Sequence, residues 1–311
     1  MNDFYDLVII GGGPAGLTAG IYAGRARMNA LLIEKISPGG QMLTTDWIEN
    51  YPGFPEGVSG GELVMKMNEQ MERFGIEVES TEVTDLDLSK NPRRIILEDR
   101  TVSCRTLIIA TGASPNKLGV PGEDTFYGKG VSTCATCDAA FYRDKVVAAV
   151  GGGDTAVQEA LFLTKFVEKV YLVHRRDELR ATKILQERAL ANDKIEIVWD
   201  SVVTDINGSG LTVEGLVIRN VKTGENLNLP VDGCFIWVGT TPNAKFIGNT
   251  LKTDEWGFIV TDQNMQTSVP GVYAVGDVRH TPLRQIVTAV GDAAIAVHSA
   301  EEHLQAGKAV G

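Results

Sequence analysis

One arrangement of residues occurs twice in this chain, and it constrains the fold more than any other feature. The apolar run Tyr5-Asp6-Leu7-Val8-Ile9-Ile10 is too short for a buried helix and reads as a central parallel strand, covered on both faces. Gly11-Gly12-Gly13-Pro14-Ala15-Gly16 comes next, then an Ala- and Leu-rich helix over 17–26, then a second strand, Ala30–Glu34, that ends in an acid. The same order returns with a strand over 145–150, Gly151-Gly152-Gly153-Asp154-Thr155-Ala156, a helix over 157–165 and a strand, Lys169–Val173, that ends in His174-Arg175-Arg176. Each copy closes with an apolar strand and a related exit, Thr111-Gly112-Ala113-Ser114-Pro115-Asn116 in one and Val238-Gly239-Thr240-Thr241-Pro242-Asn243 in the other.

A chain of 311 residues built this way is an α/β protein with two Rossmann-like, three-layer domains. The segment after Asn243 is too short for a third domain and is expected to return to the first. The second domain is then an insertion, with residues 1–115 and 243–311 in one and 116–242 in the other. The returning tail carries Gly271-Val272-Tyr273-Ala274-Val275-Gly276-Asp277 and a helix over 284–305, which places Ile286, Val290, Ala294 and Val297 on one face. Segments 77–98 and 195–229 read as antiparallel ribbons.

Glycines at 11, 13 and 16 supply what a pyrophosphate needs: a tight turn, a close approach to backbone, and a helix N-terminus facing it. Glu34 is placed to accept from ribose hydroxyls. In the second copy Gly151, Gly153 and Ala156 repeat the pattern, but the next strand ends without an acid. His174, Arg175 and Arg176 stand there, with Arg180 one turn on. An acid would repel a 2′-phosphate, whereas arginines hold it by charge-assisted forked bonds. The competing interpretation is a solvated basic patch at a helix start. Two nucleotide sites imply two nucleotides with different tasks, a bound flavin and an exchangeable NADP, between which hydride passes readily.

Cys134-Ala135-Thr136-Cys137-Asp138 is the third feature. Half of a zinc site is the alternative to a redox dithiol, but Cys104 and Cys234 stand alone and no histidine is spaced to complete a tetrahedral set, so no metal is expected. Asp138 is suited to move a proton to or from a thiolate. Cys104 and Cys234 adjoin apolar strands and read as buried core thiols. His298 and His303 are expected to be solvated, and His280 has no assigned role.

With 29 Lys plus Arg against 40 Asp plus Glu, the net charge is −11, which argues against nucleic acid or an anionic membrane as the partner. The N-terminal residues lack the basic and apolar stretches of a signal peptide, and cytoplasmic residence is expected.

These motifs in this order make the sequence resemble the low-molecular-weight thioredoxin reductases of bacteria, over essentially the whole chain. Gly-Gly-Gln at 39–41, Glu-Asn-Tyr-Pro-Gly at 49–53, Ala-Thr-Gly at 110–112, Gly-Asp at 276–277 and Arg-Gln at 284–285 add to those above. The resemblance implies FAD in the discontinuous domain, on Gly11, Gly13, Pro14, Ala15, Gly16, Glu34, Lys35, Gly39, Gly40, Gln41, Asn50, Thr111, Gly112, Gly276, Asp277, Arg284, Gln285 and Ile286. It implies NADPH in the inserted domain, on Gly153, Asp154, Thr155, His174, Arg175, Arg176 and Arg180. It further implies a homodimer, transient docking of thioredoxin, a Cys134–Cys137 redox disulfide with Cys137 toward the flavin and Cys134 toward the partner, and Asp138 as acid and base. Ala139 departs from the glycine the family often has there.

Relatives of the glutathione reductase type are set aside because their Cys-x-x-x-x-Cys is absent, and with the first strand at Tyr5 no N-terminal thioredoxin-like extension is expected. Three rival readings remain. They are a dithiol oxidase, which needs no NADP arginines; a flavodoxin- or ferredoxin-linked reductase, expected to lack the cysteine pair; and a redox-sensing module, which has little use for two nucleotide sites.

Overall fold

The computed structural model describes residues 3–45, 48, 50–133, 135–210 and 212–309, with the backbone alone at 44, 136, 137 and 307–309. The chain divides into two units, Met1–Ser114 with Thr241–Gly311, and Pro115–Thr240.

The first unit opens with β1 (Phe4–Ile10), α1 (Pro14–Arg25) and β2 (Ala30–Glu34). Next come α2 (Gly60–Glu72), β3 (Glu77–Ser80), β4 (Val83–Asp87), β5 (Arg93–Leu97), β6 (Thr101–Ile109) and the short β7 (Ala113–Pro115). β3, β2, β1 and β6 lie side by side in that order, all parallel. Leu7 and Ile9 of β1 pack into the cluster that holds the helices, while Val8 and Ile10 join the cluster on the other face.

Only part of 77–98 is an antiparallel ribbon. β4 and β5 form the hairpin and join β6 through Arg93 opposite Cys104. β3 instead runs parallel to β2, with Glu77 opposite Leu31, because α2 provides a crossover between them. α2 has no counterpart among the elements expected from the sequence, although Ser59 accepts from the Glu62 N–H at 3.2 Å and Ser-x-x-Glu is a helix-start signature.

The second unit holds α3 (Glu123–Phe126), β8 (Val131–Ser132), α4 (Ala135–Asp138), β9 (Val146–Gly151), α5 (Asp154–Leu163), β10 (Lys169–Val173) and α6 (Lys183–Leu190). It continues with β11 (Ile195–Val198), β12 (Ser201–Gly208), β13 (Val213–Asn220), β14 (Asn226–Pro230), β15 (Gly233–Trp237) and, at its edge, β16 (Thr240–Pro242). Its sheet is parallel in the order β11, β10, β9, β15, β8. Of the ribbon expected over 195–229, β12, β13 and β14 form an antiparallel meander, but β11 extends the parallel sheet. The order β11, β10, β9, β15 repeats β3, β2, β1, β6, so both units are Rossmann-like and each glycine turn comes after the equivalent strand.

The returning tail adds β17 (Val272–Ala274), parallel to Leu107–Ile109 of β6, and α7 (Ile286–Ala309). The buried stripe of α7 is not the expected one. Ala289, Ala293, Ala296, Val297, Ala300 and Leu304 are buried, whereas Ile286, Val290 and Ala294 are only half-buried. The helix α1, which packs against α7, buries Ala15, Ala19 and Ala23, and small side chains let two helices approach closely, so alanines take the centre of the seam.

Candidate nucleotide and disulfide sites

At the end of β1, Gly11 turns the chain with φ +103°, and a Cβ there would meet the Ala110 carbonyl oxygen at 2.5 Å. Pro14 opens α1, where its missing N–H costs nothing. A Cβ on Gly16 would fall 1.7 Å from the Gly11 oxygen, so only glycine lets the helix sit on the turn. Gly13 caps α1 and has nothing within 4 Å of its Cβ position, which leaves room for a ligand at the helix start.

Glu34 is fixed beside this turn, with one carboxylate oxygen accepting from the Gly12 N–H at 2.6 Å and the other from the Ile36 N–H at 3.2 Å. Lys35 points elsewhere, pairing with Glu82 at 2.8 Å. The Gly39 N–H donates to the Gly12 carbonyl at 2.7 Å, which brings the 39–41 segment against the turn. Gln41 Nε2 donates to the Ala113 carbonyl at 3.4 Å, and Asn50 Nδ2 donates to Gln285 Oε1 at 2.8 Å. Residues far apart in sequence are thereby gathered around one strand end.

Beyond β17, Gly276 (φ +69°) and Asp277 form a 3₁₀ turn over Gly276–Val278. Burial pushes the Asp277 carboxyl up, and the Arg284 charge pulls it back only in part. Arg284 lies over the Phe258 ring at 4.0 Å, and its Nε is buried without a partner. An unpaired guanidinium N–H beside a desolvated acid is what a site made for a polar ligand leaves open, and with the open cap at Gly13 it fits a bound dinucleotide. The support beneath this turn is absent from the residues expected from the sequence. Buried Asp292 accepts from the Gly276 N–H at 3.1 Å and from Arg279 at 2.7 and 3.0 Å. An Arg-x₁₂-Asp spacing carries no recognisable signal.

In the second unit Gly151 (φ +153°) ends β9 and Gly153 caps α5 with open space at its Cβ position. The intervening Gly152 makes room for His174, whose ring nitrogen would lie 2.2 Å from a Cβ there. His174 is buried, its Nε2 bonded to the Glu178 carbonyl at 3.1 Å, and burial lowers its pKa, with Arg180 and Arg176 adding to the effect. A neutral imidazole wedged under the turn shapes the site from below.

Arg175, Arg176 and Arg180 are exposed, and none forms an ion pair among the described residues. The two acids among them are taken elsewhere, Asp177 by Lys222 at 2.9 Å and Glu178 by Lys183 at 3.1 Å. The Arg180 N–H donates to the Gly152 carbonyl at 2.7 Å, which pins the basic segment to the glycine turn. Asp154 accepts from the Thr182 N–H at 2.6 Å and so ties α5 to the start of α6, while Thr155 is exposed. Three unpaired cations beside an open helix start fit a phosphorylated nucleotide.

Cys134 lies outside the described residues; Cys137 lies on α4 with its side chain undescribed, and Asp138 ends that helix half-buried. Cys104 and Cys234 are fully buried, with thiols pushed far up by desolvation, about 12 for Cys104, and are inert. His298 is exposed. His303 is half-buried, and burial and then Arg93 and Arg105 lower its pKa, so it is not the solvated side chain expected. His280 bonds Asp254 at 2.8 Å. Among the described residues no cluster of side chains is arranged to hold a metal, and no helix is long and apolar enough to cross a membrane.

The chain matches the pyridine nucleotide-disulphide oxidoreductase family over residues 5–293 and belongs to it. It is 44% identical over 311 residues to the thioredoxin reductase of Peptoclostridium litorale, covering 98% of each chain. The solved thioredoxin reductase of Lactococcus lactis is 47% identical with a TM-score of 0.92, covering 97% of this chain and 99% of that one. A ferredoxin-flavin thioredoxin reductase from Clostridium acetobutylicum is also similar, at 31% identity and a TM-score of 0.54 over 98% of this chain and all of that one. Its name joins ferredoxin to thioredoxin reduction, so the electron donor has to be argued from residues 174–180 rather than from the cysteine pair.

Proposed function

We infer that this chain is a thioredoxin-disulfide reductase that carries electrons from NADPH through FAD to oxidised thioredoxin. The observation that carries the reading is the pair of equivalent glycine turns, one beside Glu34 and one beside three unpaired arginines, in a chain that also holds Cys134 and Cys137.

FAD, when bound, supplies the means of turning a nicotinamide hydride into two electrons for a disulfide. The first glycine turn, α1 and the Asp277–Arg284 region hold it, and Glu34 receives its ribose. The second turn holds the NADPH pyrophosphate, and Arg175, Arg176 and Arg180 hold the 2′-phosphate. Cys137 would take the electrons from the flavin and Cys134 would pass them to the partner. Two electrons and two protons convert the Cys134–Cys137 disulfide to a dithiol, with Asp138 as the proton carrier. The Cys134 thiolate then attacks the disulfide of thioredoxin to give a mixed disulfide. Cys137 resolves it, releasing the reduced partner and restoring the internal bond. A homodimer in the cytoplasm completes the proposal.

The test is NADPH oxidation by the flavin-loaded enzyme with thioredoxin, glutaredoxin or glutathione as acceptor. Turnover with thioredoxin and little with the others is expected. Turnover with none, while NADPH still reduces the flavin, would overturn the assignment of substrate.

A further inference from the structure

Between His174 and Arg180 three arginines are interleaved with two acids, Asp177 and Glu178, so the segment's formal charge is only +1 with His174 neutral. A phosphate monoester brings close to two negative charges at neutral pH. Two lysines outside the segment make up the difference. Lys183 is local and pairs with Glu178. Lys222 is not: it arrives from the turn between β13 and β14 and bridges two acids, Asp177 and Asp200, each at 2.9 Å.

Lys222 is built into that place. Asn220 Oδ1 accepts from the Lys222 and Thr223 N–H groups at 2.9 and 3.0 Å, and Gly224 turns the chain at φ +77°. The Val221 N–H donates to the Asp200 carbonyl at 2.6 Å, and the Asp200 N–H donates to the Arg176 carbonyl at 3.2 Å. The turn is thus bonded, through Asp200, to the arginine segment itself. The Lys222 bond lowers the Asp177 carboxyl, and Asp177 and then Asp200 raise the lysine, so both members stay charged at neutral pH.

An exposed lysine–aspartate pair adds little to stability, because water screens it. Its effect on a neighbouring site is a separate matter. Asp177 adjoins Arg176, and an unpaired carboxylate there either takes the guanidinium for itself or repels an incoming phosphate. A lysine already on the carboxylate removes both effects. We propose that Lys222 is a specificity-determining residue for NADPH: by holding Asp177 it leaves the arginines to the 2′-phosphate, and it acts through Asp177 rather than on the phosphate. The proposal rests on the NADP site inferred above.

The test uses the full-length, flavin-loaded enzyme with its Lys222→Met and Lys222→Arg variants and the double variant Lys222→Met, Asp177→Asn. Calorimetry reads the Kd of 2′,5′-ADP, which carries the 2′-phosphate, and of 5′-AMP, which lacks it. Flavin reduction by NADPH and by NADH is followed alongside. At low ionic strength Lys222→Met should bind 2′,5′-ADP about fivefold more weakly, the scale of one uncompensated charge a few ångströms away at a wet surface. Its 5′-AMP affinity should equal the parent's. Half-saturation by NADPH should rise by the same factor with the limiting rate unchanged, and NADH should show no change. Lys222→Arg, which keeps the charge, and the double variant, which has no carboxylate to hold, should both match the parent. The difference should close at about 1 M salt, where charges more than about 3 Å apart are screened.

Parental affinity for 2′,5′-ADP in Lys222→Met overturns the proposal. So does a double variant as weak as Lys222→Met, which would make the lysine a phosphate contact in its own right. An equal loss of 5′-AMP overturns it too, since the turn would then be a prop for the whole nucleotide site. Should Lys222→Met fail to fold, Lys222→Gln carries the same expectations. A parent that binds 2′,5′-ADP no more tightly than 5′-AMP would refute the NADP site itself, and this proposal with it.

Discussion

The backbone N–H of Asn243 donates to the Gly112 carbonyl at 2.9 Å, and that of Asn116 donates to the Gly239 carbonyl at the same distance. Each exit asparagine thus closes on the glycine of the other copy's exit, Gly112 at φ +68° and Gly239 at φ +112°. Asn243 does more. Its side chain accepts from Ser114 Oγ at 2.6 Å and donates to the Thr111 carbonyl at 3.0 Å, while Thr111 Oγ1 donates back to the Asn243 carbonyl at 2.7 Å. The Thr111–Gly112 end of β6 therefore takes its shape from a residue that arrives only after the second unit has been traversed.

Asn243→Ala removes two side-chain bonds, each worth about 1 kcal/mol net. FAD should dissociate about tenfold more readily, read as flavin fluorescence released on dilution. Unchanged retention of flavin would mean that residues 111 and 112 do not shape its site.

Cofactor choice is decided by the arginines. A hydrogen bond to a charged group is worth about 1.5–3 kcal/mol, and two of them give roughly 10²–10⁴ in preference for the 2′-phosphate. The Arg175→Ala, Arg176→Ala double variant should lose most of its kcat/KM with NADPH, chiefly through KM, and little with NADH. Rising salt should weaken NADPH use in the parent more than NADH use. Equal losses with both cofactors would show that these side chains hold the fold.

Much of this was legible in the sequence because each glycine turn binds strand, helix and strand together within one local segment. Gly11, Gly16 and Gly151 are read correctly as tight backbone positions, since the constraint lies in their own φ or in a contact with the next turn. What was illegible depends on residues remote in sequence. The buried stripe of α7 is set by the small residues of α1, and β3 and β11 join parallel sheets that periodicity alone does not distinguish from hairpins. The Asp292–Arg279 pair and Glu159 have no sequence signature, because each matters only through what the fold brings against it.

The Asp292–Arg279 pair predicts a loss of stability. Both side chains are largely buried, and removing one partner strands the other. Asp292→Ala should destabilise the protein by about 3–5 kcal/mol in denaturant titrations, and it should loosen FAD through the Gly276–Asp277 turn. A loss under about 1 kcal/mol would mean that water replaces the pair without cost.

Glu159 gives stability a pH dependence of definite sign. Its carboxyl titrates near 7 when folded against 4.5 as a free group. A raised carboxyl contributes stability fully below the unfolded value, and that contribution is lost as pH climbs through the folded one. The difference is of the order of 3 kcal/mol. Between about pH 5 and 8 the parent should lose stability relative to Glu159→Gln, which stays neutral throughout. Parallel pH profiles for the two proteins would show that Glu159 is hydrated in solution.

The central claim is that electrons leave through Cys134 and Cys137, and the most direct measurement is thioredoxin reduction by Cys134→Ser and Cys137→Ser enzymes that still carry FAD. Each variant should remain yellow, accept electrons from NADPH into its flavin, and lose thioredoxin turnover almost completely, while Cys104→Ala and Cys234→Ala keep it. Substantial thioredoxin turnover in either serine variant would contradict the account.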